Sequence, residues 1–191
     1  MKKKTLIVIL FFSFSISYSQ DKIDNLIFEI ISKVSKENLE KDIVSLANFG
    51  TRHTLSDTIS NYRGIGAARR WIKNSFEKIS SECNNCLDVF YQKNYFKRNN
   101  LRLMRDVWIN NVVAIQRGFK YPNRYVIMSG DIDSRVSDPN DYLSDSPGAN
   151  DNASGMAGTI EAARILSKYQ FENSIVYLGL SGEEQGLYGG Q

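Results

Sequence analysis

Apolar residues recur along this chain at two different periods, and the change between them marks its architecture. Ile23, Leu26, Ile27, Ile30, Ile31 and Val34 follow the i, i+3, i+4, i+7 spacing of one amphipathic helix stripe. Ser35 is placed to cap a second helix carrying Leu39, Ile43 and Leu46, which stops by Gly50. Thr51 to Asn61 is polar and loop-like. A third helix is expected from about Gly64 to Ile79, with Ile65, Ala68, Ile72, Phe76 and Ile79 on one face. The period then drops to two: Leu87, Val89 and Tyr91 predict a strand. Val107 to Ile115 and Arg124 to Met128 predict two more, joined by a turn around Gly118 to Pro122. A long polar stretch, Ser129 to Asn150, comes next, and loops of such length are usually functional or disordered. Ala153 to Tyr169 predicts a helix whose inner face is Met156, Ile160, Ala163 and Leu166. Ser174 to Leu180 is nearly continuous in apolar residues, as expected of a strand covered on both faces. Helices, then strands interleaved with a helix, predict an α/β fold, a three-layer α/β/α sandwich. The last residues, Gly186 to Gln191, come directly after a strand where another helix is expected, so the fold is expected to be incomplete at that end.

At 191 residues the chain has room for one domain, or part of one. Residues 1–19 have the pattern of a signal peptide. Met1-Lys2-Lys3-Lys4 is a basic head, Thr5 to Ile16 an apolar run, and Ser17-Tyr18-Ser19 supplies small residues before Gln20, the expected mature N-terminus. The apolar run is shorter than the ~20 residues of a spanning helix, so no membrane association is expected after cleavage, an uncleaved anchor being the alternative. The remainder, 20–191, divides into a helical lead-in over about 20–80 and a sheet-and-site region over about 87–191. The expected location is secreted, whether periplasmic or extracellular. Charge agrees with a soluble product. Lys and Arg number 24 against 21 Asp and Glu, and Lys2, Lys3 and Lys4 account for the whole excess. A nucleic-acid partner therefore gets no support from charge. Export also frames Cys83-Asn84-Asn85-Cys86: zinc binding needs a second pair or histidines, so a disulfide between Cys83 and Cys86 is expected.

His53 is the only histidine, which rules out an H-E-x-x-H zinc site. No G-x-S-x-G elbow exists to hold a triad serine, and no glycine-rich phosphate loop occurs. His53 is expected to be a hydrogen-bonded or solvated structural residue. Carboxylates are more informative. Asp131 and Asp133 come after one predicted strand, Asp151 precedes a predicted helix, and Glu183-Glu184 come after another strand. Open α/β sheets build sites at the carboxyl ends of strands, where these three groups can meet. Each has a plainer explanation: Asp151 or Asn152 as a helix cap, the glutamates as first-turn acids, Asp131 and Asp133 as turn formers. Converging carboxylates, however, repel unless a cation or proton lies between them. Adjacent glutamates also point about 100° apart on a helix. One can bind metal while the other serves as the general base for a water the metal activates.

The stretch from Tyr125 to Gly189 closely resembles the aminopeptidase Y and bacterial leucyl aminopeptidase family of co-catalytic zinc metallopeptidases. The residues that carry the resemblance are Ser129-Gly130-Asp131-Ile132-Asp133-Ser134, Pro147-Gly148-Ala149-Asn150-Asp151-Asn152-Ala153-Ser154-Gly155, Glu161-Ala162-Ala163-Arg164 and Ser181-Gly182-Glu183-Glu184-Gln185-Gly186-Leu187-Tyr188-Gly189. The resemblance implies a sandwich around a mostly parallel mixed sheet, two zinc ions, and removal of N-terminal residues from peptide substrates. It implies that Asp151 bridges the ions, Glu184 binds one of them, and Glu183 is the catalytic base. Asp131 stands where the family usually has histidine and is the expected substitute ligand, with Asp133 and Asn152 supporting the ligands from behind. An all-carboxylate set would suit Mn or Mg better than one bearing nitrogen, yet the family favours zinc. The family's further Asp and His ligands lie downstream of the Glu-Glu pair, so the 191 residues are expected to be a fragment, inactive by itself. Two alternatives share the scaffold: a glutaminyl cyclase-like acyltransferase using one zinc, and a non-catalytic binding module resembling transferrin-receptor ectodomains.

Overall fold

The computed structural model describes residues 25–99 and 101–191. The expected signal segment, with Gln20, lies outside them. The chain divides after Val34 into two units, Met1–Val34 and Ser35–Gln191. In the first, residues 25–31 are helical, and Lys33 pairs with Glu29 at 2.6 Å. The second unit carries the sheet and the candidate site.

Its elements obey the hydrophobic periods. Helix α1, Lys36–Ala47, begins where the Ser35 side chain accepts the Asn38 backbone N–H, 3.1 Å away. Helix α2, Gly64–Glu82, buries Ile65, Ala68, Ile72, Phe76 and Ile79, the whole expected stripe. Strands β1 (Leu87–Phe96), β2 (Val107–Gln116) and β3 (Tyr121–Asp131) all run longer than their alternation predicted. Helix α3, Ser154–Leu166, and strand β4, Asn173–Leu180, complete the unit. After β4 come a turn and a single 3-10 turn, Tyr188–Gly190.

The sheet is mixed, in the order β1-β2-β4-β3. Strands β1 and β2 are antiparallel, as are β2 and β4, while β3 and β4 are parallel. Among the described strands the parallel share is thus one pairing of three, smaller than expected. Strand β4 also separates β2 from β3, so the Gly118–Pro122 turn does not close a hairpin. The cause is the α3 crossover, which returns the chain beside β3 in the parallel sense.

Helices α2 and α3 touch each other and share one face of the sheet. Phe76 of α2 meets Tyr177 of β4 there, with ring centroids 6.4 Å apart, and Met156 and Ile160 of α3 join the same core. Each fully buried side chain of this size contributes roughly 1.5–3 kcal/mol. Gly130 sets the approach of α3 to β3, since a Cβ there would stand 2.5 Å from the Met156 backbone nitrogen. The opposite face carries Phe90 and Ile127, both exposed, and among the described residues no helix covers it. These residues therefore form two of the three expected layers. Cys83 and Cys86 are joined by a disulfide between the end of α2 and the start of β1.

Candidate metal centre

The parallel pairing of β3 with β4 builds the site. Asp131 is in register with Leu180, so both strands end side by side. The loop leaving β3 therefore lies against the turn leaving β4. Asp133, two residues past the strand, is buried, and its carboxylate accepts the backbone N–H groups of Glu183 and Glu184, each at 3.2 Å. Thr54 Oγ1 donates to the same carboxylate at 2.8 Å. Burial pushes the Asp133 carboxyl up to about 6, against the pull of these hydrogen bonds. Asp133 fixes the turn that presents the two glutamates.

Asp151 lies in a wide turn, Ala149–Ala153, where it and Asn152 leave helical geometry. Neither caps α3, whose first turn has no side-chain cap, so the plainer reading of these residues fails. The acids at 183 and 184 likewise open no α-helix, and the dipole explanation fails with it. Gly148 begins the turn at φ +48°, where a Cβ would stand 2.4 Å from the Asp151 carbonyl oxygen. Asn152 Nδ2 reaches Asp131 Oδ2 at 3.4 Å.

Four carboxylates share this edge without enough positive charge to match them. Burial raises the Asp131 carboxyl, and the charges of Asp151 and Glu184 raise it further. Burial also raises Glu183, with Asp131, Glu184 and Asp151 adding to the shift and Arg135 opposing it. Arg135 Nε pairs with Glu184 Oε2 at 2.7 Å. Among the described residues, no three His, Cys, Asp or Glu side chains converge closely enough to hold an ion. The donor chemistry nonetheless fits a divalent cation: hard oxygen donors, mutually repelling, of which one oxygen is taken by a guanidinium.

Several supporting residues escape a reading of the sequence. Arg52, buried in the segment that looks like a solvated loop, donates Nε to Ile132 O (2.7 Å) and its terminal nitrogens to Leu46 O, Pro147 O and Gly148 O. It thereby ties the loop after β3 to the turn that carries Asp151. Burial lowers its pKa to about 10, which leaves it charged at neutral pH. His53, also buried, accepts the Leu55 N–H at Nδ1 (3.0 Å), and its Nε2 lies 3.0 Å from Pro139 O and 2.7 Å from Gln185 Nε2. Gln185 donates to that same carbonyl at 2.8 Å. Asn111 of β2 holds the loop beyond β4, accepting Ser181 N–H at 2.9 Å and donating to Gly189 O at 2.7 Å.

Residues 111–191 match the family profile of Peptidase family M28. A probable zinc metalloprotease of Pyrenophora teres f. teres is 45% identical over 166 residues, covering 87% of this chain and 34% of the relative. The chain thus spans about a third of the length of that curated relative. The solved LapA aminopeptidase of Legionella pneumophila superposes with a TM-score of 0.65 at 18% identity, over 87% of this chain and 38% of its own. The glutaminyl cyclase of Fimbriiglobus ruber does so with a TM-score of 0.58 at 18% identity, over 78% and 46%. At such identities the two structures show the fold alone. The resemblance read from Tyr125 to Gly189 is borne out by the family match.

Proposed function

We propose, from the match of residues 111–191 to Peptidase family M28, that the protein is an exported, zinc-dependent aminopeptidase acting on peptide N-termini. One observation carries the reading: Glu183 and Glu184 stand on a turn pinned by Asp133, within electrostatic reach of Asp131 and Asp151. The signal-like pattern of residues 1–19 and the Cys83–Cys86 disulfide support export to an oxidising compartment.

Asp151, Glu184 and Asp131 would hold zinc, with two ions expected in the whole protein. Zinc bound there supplies Lewis acidity, lowering the pKa of water and polarising the scissile carbonyl. Glu183 takes a proton from the attacking water onto its carboxylate as the new C–O bond forms. It delivers that proton to the amide nitrogen as the C–N bond breaks, so the peptide gains one water and leaves as an amine and an acid. Asp133 keeps Glu183 in place through the backbone, and Asn152 steadies Asp131.

In the whole protein, Glu183→Gln is expected to retain zinc and lose about 10²–10⁴-fold in turnover. Glu184→Gln is expected to lose zinc, and excess zinc should restore part of its activity. The substrates are peptides with free and with acetylated N-termini. Release of the first residue from the free peptide alone marks an aminopeptidase. A second reading, favoured by the cyclase superposition, predicts ammonia release from N-terminal Gln peptides with no residue lost. A protein that holds no zinc contradicts both enzyme readings and leaves the binding module.

A further inference from the structure

A polar cavity of about 460 Å³ lies on the helix-covered face between the start of α2 and the β1–β2 pair. Arg69, Arg70, Lys93 and Arg105 line it, against a single acid, Asp106. That acid is already engaged, accepting from Tyr95 Oη at 2.6 Å and from the Arg98 N–H at 2.9 Å. Arg70 is committed to the carbonyls of Thr58, Ile59 and Ser60, and Arg105 donates to Leu55 O.

Arg69 is different. It is only 5% exposed, and its Nε donates to Ile65 O at 3.3 Å. Among the described residues it has no ion-pair partner. Burial brings its pKa to about 10, still well above neutral, so it is buried as a cation. The one carboxylate acting on it is Asp133, which makes no ion pair with it and is hydrogen-bonded to Thr54, Glu183 and Glu184. A buried guanidinium without a counter-charge costs several kcal/mol. Its planar fork matches the two oxygens of a carboxylate or phosphate.

We propose that this cavity is a second binding site, for a small oxyanion held by the Arg69 fork with Lys93 and Arg105 at its rim. Two sources offer that chemistry, an acidic group of a peptide and free inorganic phosphate. Thr54 lines the cavity and also holds Asp133, so an occupant would touch the back of the turn that presents the glutamates. The proposal does not depend on the peptidase reading, because binding is measured without turnover.

The test titrates the whole protein, metal-replete and again after chelation, with N-acetylglutamate and with inorganic phosphate, following heat release and Trp108 fluorescence. Saturable binding of at least one anion is expected in both metal states, and the anion that saturates identifies the source. Arg69→Gln should weaken it about tenfold or more, the worth of a charge-assisted hydrogen bond, and Arg69→Lys by less. Should Arg69→Gln fail to fold, Arg105→Gln and Lys93→Gln at the exposed rim should still weaken binding. Arg117→Gln, whose arginine is paired with Asp88 elsewhere, should leave it unchanged. Absence of saturation by both anions, or rim and Arg69 variants that bind as wild type does, would overturn the proposal.

Discussion

Two groups of charged residues meet at the end of the β3–β4 pair, and they are built in opposite ways. Behind the edge, Asp133 accepts a hydroxyl and two backbone N–H groups, and Arg52 donates to four carbonyls. Both are buried and both are satisfied. At the edge itself, Asp131, Asp151, Glu183 and Glu184 push against one another, and Arg135 is the opposing cation. A buried charge persists where it is hydrogen-bonded, and a repelling cluster persists where something outside the chain compensates it. The back wall is therefore made for shape, and the front, on the function proposed above, for a cation.

That contrast can be broken most forcefully at Arg52. Arg52→Met strips four carbonyls of their donor, and hydrogen bonds to a charged group contribute about 1.5–3 kcal/mol each. Allowing for water entering the gap, a loss of roughly 3–6 kcal/mol is expected in denaturant unfolding. Asp133→Asn comes next. An amide offers one acceptor oxygen where three donors point, and its NH2 would face N–H groups, so about 2 kcal/mol should go. Turnover should fall with it, because the turn carrying Glu183 is released. A change of either size in a front-edge carboxylate variant would erase the distinction.

His53 gives a smaller, pH-dependent handle on the back wall. Burial lowers its folded pKa below the ordinary value of 6.5, and the hydrogen bond to Pro139 only partly opposes this. The unfolded chain then takes up the proton first. Stability from this group is complete above about pH 6.5 and is lost as pH falls toward the lowered folded value. The slope is at most about 1.4 kcal/mol per pH unit. Because the Asp133 carboxyl, pushed up to about 6, pulls the opposite way in this range, the decline is read as the difference between wild type and His53→Gln, which should shrink as pH falls from about 7.5 to 5.

Much of the edge is legible in the sequence, and the back wall is not. Asp131, Asp151 and the Glu183-Glu184 pair sit at element boundaries that periodicity locates, so their meeting comes from strand ends alone. Arg52, His53 and Thr54 lie in a polar run that reads as solvated loop, yet all three are buried. Their partners stand 79 to 132 residues away in Ile132, Pro139, Pro147, Gly148, Asp133 and Gln185, apart from the local contacts to Leu46 and Leu55. Polarity predicts exposure only when partners are unknown, and pairings over such distances leave no local period. Strand direction was hidden for a similar reason: alternation in β1 and β2 gives the faces of a sheet without the sense of its neighbours.

The comparison is decided most directly by zinc-dependent unfolding of the whole protein beside its Asp151→Asn variant. The account predicts equal stability without metal, or a slight gain in the variant as repulsion is relieved. Zinc at about a hundredfold excess over its dissociation constant should then stabilise wild type by about 2.7 kcal/mol per site, and the variant by much less. A variant that loses about 2 kcal/mol without metal, as expected for Asp133→Asn, or that gains as much from zinc as wild type does, would contradict it.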